Sequence, residues 1–87
     1  MGIYRIERNL QGVGREEIDA AAFRAVACLH DFLGLDWVRS YYDDDAGLMT
    51  CYYRAENPQH IWEHAKLAHI PCNSVTEVTE YLPEAYL

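Results

Sequence analysis

The residues with the most chemical potential lie between 57 and 72, in "NPQHIWEHAKLAHIPC", where three of the chain's four histidines fall within ten residues. His60 and His64 are four apart, and on a helix that spacing stacks both imidazoles on one face. Such a pair can clamp nickel, zinc or another divalent ion of borderline softness, which imidazole suits. It lacks the flanking glutamate base of the HExxH motif, so zinc-hydrolase chemistry has no support. On a helical wheel Ile61, Ala65 and Ala68 define the buried stripe. His64 lies beside that stripe and His60 one step nearer solvent. The alternative is a hydrogen-bonded His64 at the boundary of sheet and helix, with His60 solvated.

Further candidates come from segments that read as strands. Cys51 can serve as a soft metal ligand or nucleophile if it faces His64, or it is simply a small buried apolar residue. Glu7 and Glu77 fall in two strands expected to be neighbours, where close carboxylates would bind a cation or supply a general acid. Each can instead pair with Arg5, Arg8 or Arg39. Trp37, Ser40 and Tyr41 can line a pocket, with hydroxyl donors on an aromatic wall, or they can build a dimer interface. Asp43, Asp44 and Asp45 miss the spacing of a calcium loop and read as a solvated turn. Cys28 and Cys72 read as structural, and His30 as a cation that complements a helix end.

The elements that must position these residues follow from periodicity and punctuation. "IYRIER" (3–8) is a strand, and the glycines of "NLQGVG" make a turn. From Arg15 to Leu33, Ile18, Ala22, Ala25, Leu29 and Phe32 recur at helical spacing, with Gly34 as the stop. "DWVRSYY" (36–42), an acidic turn and "LMTCYYR" (48–54) form a hairpin. Asn57 is a good N-cap and Pro58 suits the first position of a helix to about Ala68. "SVTEVTEYL" (74–82) is the last strand. The order βαββαβ is that of the ferredoxin-like α+β sandwich, with two helices on one face of an antiparallel sheet. Neither face of the hairpin is plainly polar, so the uncovered face is expected to meet a second copy of the chain.

Bulk properties narrow the function classes. The 87 residues fit a single domain, and 51% apolar with 24% charged residues describes a globular chain. The net charge of −7 disfavours nucleic acid and anionic membranes as partners. No apolar run reaches bilayer length, and "MGIYRIERN" lacks a signal-peptide apolar region. With three cysteines and no CxxC spacing, a cytoplasmic protein with reduced thiols is expected.

In the second half, "DWVRSYYDDD", "CYYRA", "EHAKLAHIP" and "VTEV" occur in order over residues 36–82. They resemble a family of small ferredoxin-like proteins of formerly unknown function, labelled nickel-responsive or nickel-binding. The resemblance implies a dimeric ferredoxin-like fold and binding of a divalent metal. One departure is visible: family members usually carry glycine where this chain has His69, at a helix end that calls for a left-handed backbone. Three functions then compete. The first is a homodimer that takes up nickel or a similar ion through His64, His60 and Cys51, for storage, sensing or tolerance. The second is a small dimeric α+β-barrel-type enzyme (isomerase, cyclase or cofactor-free oxygenase). Its pocket would lie between sheet and helices, with His64 as acid/base beside Tyr41, Ser40 and Glu77. The third is an interaction module with no small ligand.

Overall fold

A computed structural model describes residues 1–87. The chain runs β1 (Gly2–Asn9), α1 (Arg15–Cys28), β2 (Asp36–Asp43), β3 (Leu48–Ala55), α2 (Pro58–Ala68) and β4 (Ser74–Val78). All neighbouring strands are antiparallel in the order β2-β3-β1-β4. This is the ferredoxin-like α+β sandwich that the sequence pattern calls for.

Alternation along the strands divides the sheet into two faces. Tyr4, Ile6 and Arg8 of β1 lie opposite Tyr53, Cys51 and Met49 of β3 and point to the helix side. There Ile6, Cys51, Tyr53, Ala55 and the α2 residues Ile61, Ala65 and Ala68 make the buried core. The other face of β1 and β3 carries Ile3, Arg5 and Glu7 against Arg54, Tyr52 and Thr50. Leu10 fastens the hairpin to β1, its N–H donating to the Gly47 carbonyl at 2.7 Å. Gly47 sits at φ 68°, and a side chain there would meet the Gln11 backbone at 2.9 Å. Only glycine satisfies both demands.

Three local differences from the expected elements have physical causes. The helical spacing over 15–33 is not one helix: α1 ends at Cys28 and tightens into a 3₁₀ turn over Leu29–Asp31. That tighter turn brings Phe32 under α2, where its ring lies 5.9 Å from both His60 and His64. β2 carries an irregularity between Trp37 and Arg39. An extra residue in one strand reverses its face, so Trp37 shares the helix side with Ser40, while Arg39 and Tyr41 lie on the open side. β4 stops at Val78, short of the expected Leu82, and Pro83–Tyr86 form a second 3₁₀ turn.

Candidate functional site

His64 stands at the centre of the helix–helix contact and is fully buried. Its Nε2 lies 2.8 Å from the carbonyl oxygen of Ala25. A carbonyl only accepts, so this bond places the ring proton on Nε2 and a lone pair on Nδ1. Ala25 is among the last four residues of α1, whose carbonyls have no partner within the helix, so His64 caps α1 from the neighbouring helix. Burial pushes its pKa below 6.5; the Ala25 bond opposes this and the Arg8 charge adds to it. His60 is half-buried one turn earlier. The Nδ1 atoms of His60 and His64 are both buried without a hydrogen-bond partner.

Cys51 does not join them as a third ligand. Its Sγ accepts from Arg8 Nε at 3.4 Å, and a guanidinium in that position repels any cation the sulfur would hold. No cluster of three or more His, Cys, Asp or Glu side chains converges anywhere in the chain. For a nickel ion the fit is therefore partial. The chain offers two imidazoles, and His64 has its other ring nitrogen fixed by the Ala25 carbonyl, as metal-binding histidines usually do. The remaining ligands have to come from outside the chain.

Arg8 organises a second centre. It is 3% exposed and absent from all four ion pairs of the chain, which involve Arg5, Arg24 and Arg54. Besides Cys51, its guanidinium donates through Nη1 to the Pro71 carbonyl at 2.6 Å and lies 5.8 Å from the Tyr53 ring centre. Nη2 is buried with no partner. Burial raises the Tyr53 phenol to about 12, against the pull of Arg8, so Tyr53 stays protonated. Burial likewise lifts the half-buried Cys72 thiol above 9.0.

Arg8 borders a cavity of about 150 Å³ between α1 and the sheet. Ala21, Ala22 and Ala25 form its roof, with Trp37, Ser40, Met49, Cys51 and Tyr53 below. The space exists because alanines stand where the helix crosses large strand residues. Trp37 stacks on Tyr53 at 6.3 Å and donates from Nε1 to Ser40 Oγ at 2.9 Å. The pocket expected from Trp37, Ser40, Tyr41, Glu7 and Glu77 is thus divided. Trp37 and Ser40 reach the cavity. Tyr41 is carried to the open face by the β2 irregularity. Glu7 lies on that face too, 3.7 Å from Arg5. Glu77 pairs with Tyr4 on the helix side, exposed at the edge strand. The two carboxylates lie on adjacent strands, as expected, but on opposite faces, because Glu7 pairs with Ser74. His64 does not line the cavity. The sequence offers Arg8 only as a carboxylate partner. Its parity with Tyr4 and Ile6, two core residues, is the signal that marks it as buried.

The fold and these centres define a small ferredoxin-like protein with a histidine pair on α2 and a buried arginine beneath α1. A family model described as "Nickel responsive protein SCO4226-like" matches residues 4–78, and the chain belongs to that family. A solved structure, the crystal structure of SCO4226 from Streptomyces coelicolor A3(2), is similar with a TM-score of 0.80 and 12% sequence identity. The match covers 92% of this chain and 99% of that one. At that identity the likeness concerns the fold. Among curated proteins none matches the chain.

Proposed function

We propose that the chain is a cytoplasmic, homodimeric binding protein that responds to nickel or a similar divalent ion through His60 and His64. The observation that carries this reading is the pair of unpartnered Nδ1 atoms, one helical turn apart on α2. Family membership supplies the choice of metal. The role is storage, sensing or tolerance rather than catalysis. His64 is enclosed by the Phe32 and Tyr53 rings and turned to a backbone carbonyl, which leaves it no route to a substrate in the cavity. The missing ligands are water or donors of a partner molecule. The open sheet face offers the dimer surface: Ile3, Tyr41, Tyr52, Val78 and Leu82 line a shallow groove there, and Tyr41 is 60% exposed.

Equilibrium dialysis of untagged protein against nickel and zinc tests the reading. Uptake near one ion per chain is expected, reduced at least about tenfold in affinity by His60→Ala. Uptake unchanged in both His60→Ala and His64→Ala, or no uptake by the parent chain, would sink it.

A further inference from the structure

We infer that the cavity beneath α1 is a binding site for a small organic monocarboxylate with an apolar body, held by Arg8. The inference is independent of the metal site on α2. Its first support is a charge without a counter-charge. An arginine is ionised at every accessible pH, and a buried ion is strongly unfavourable unless paired. Of the five N–H donors of Arg8, one is given to Cys51 and one to Pro71. Neither acceptor is a carboxylate. Nη2 is left without a partner inside the protein, and a carboxylate matches the donors that remain.

The second support is the shape and lining of the space. A cavity near 150 Å³ with apolar walls accommodates a ring the size of benzene. Here the walls are the alanine face of α1 with Ile18, Met49 and Trp37, so the body of the ligand is apolar. Two hydroxyls supplement the arginine. Tyr53 keeps its proton, and Ser40 receives the Trp37 N–H, which leaves its own O–H free to donate.

The third support is selectivity by charge. Asp19, exposed, stands among the lining residues, and the chain carries a net charge of −7. One negative charge is matched by Arg8, whereas a second would be repelled. Phosphate and dicarboxylates are therefore disfavoured by charge, and neutral amides by the loss of the ion pair.

Benzoate, benzamide and inorganic phosphate, titrated into the full chain at matched ionic strength and followed by amide chemical shifts, test the proposal. Benzoate should bind and move the signals of Ala22, Cys51 and Tyr53, with benzamide weaker by about 10- to 100-fold, the range of a charged hydrogen bond. Arg8→Met should bring benzoate down to the level of benzamide. If that variant does not fold, Ala22→Leu, which fills the space and keeps Arg8, should abolish benzoate binding. Phosphate binding as tight as benzoate, or signals moving only outside the cavity, would overturn the assignment. So would undiminished benzoate binding in either folded variant, or no response to millimolar benzoate.

Discussion

At the scale of single residues, His64 joins stability to pH. Its folded pKa lies below 6.5, so the unfolded chain binds the proton more tightly than the native one. Its contribution is fully present above the unfolded value and is lost as pH falls below about 6.5. The loss ends once pH drops beneath the depressed folded value. Urea denaturation between pH 7.5 and 5 should show this decline, and His64→Leu should flatten that part of the profile. His64→Ala leaves a void and an unsatisfied Ala25 carbonyl, and should cost about 2–4 kcal/mol. A profile that keeps its slope in His64→Leu would place the titrating group elsewhere.

At the scale of elements, the ends of α2 are the sensitive points. The Asn57 side chain accepts from the His60 N–H at 3.2 Å, and Asn57→Ala should cost about 1 kcal/mol in thermal unfolding. His69 closes the helix at φ 57°, a conformation that disfavours side chains. His69→Gly should therefore stabilise the chain by up to about 1 kcal/mol, raising Tm by several degrees. A fall in Tm would mean that His69 has a contact of its own to lose. The left-handed residue at position 69 was expected from the glycine that the resembled family carries there, and it is found there. The order βαββαβ and both hairpin strands were legible in the sequence itself, since periodicity and turn residues act locally. What escaped is tertiary. Trp37, Val38 and Arg39 all suit a strand, so nothing in their types marks the irregularity that sorts Trp37 from Tyr41. The early end of α1 reflects Phe32 finding the two histidines. The cavity depends on how far the alanines of α1 stand from β3, a distance no single segment specifies.

At the scale of the whole molecule, the proposed homodimer makes the open sheet face the surface to test. Sedimentation at micromolar concentration should give a dimer, and Tyr41→Glu should shift it toward monomer by placing like charges across the shared face. A monomer in the parent chain would remove the homodimer. No helix is long and apolar enough to cross a membrane.

The two helices are also laced together in both directions. Arg24 of α1 donates to the carbonyls of Ala68 and His69 at 2.8 and 3.2 Å, while His64 of α2 donates to Ala25. Of two adjacent residues in α1, Arg24 thus holds the end of α2, and Ala25 is held by His64 of α2. Neither helix can lift from the sheet without tearing the backbone partners of its neighbour, so the pair should behave as one plate. In hydrogen exchange, the last-turn amides of α1 and α2 should open with one common free energy, and Arg24→Ala should lower both together.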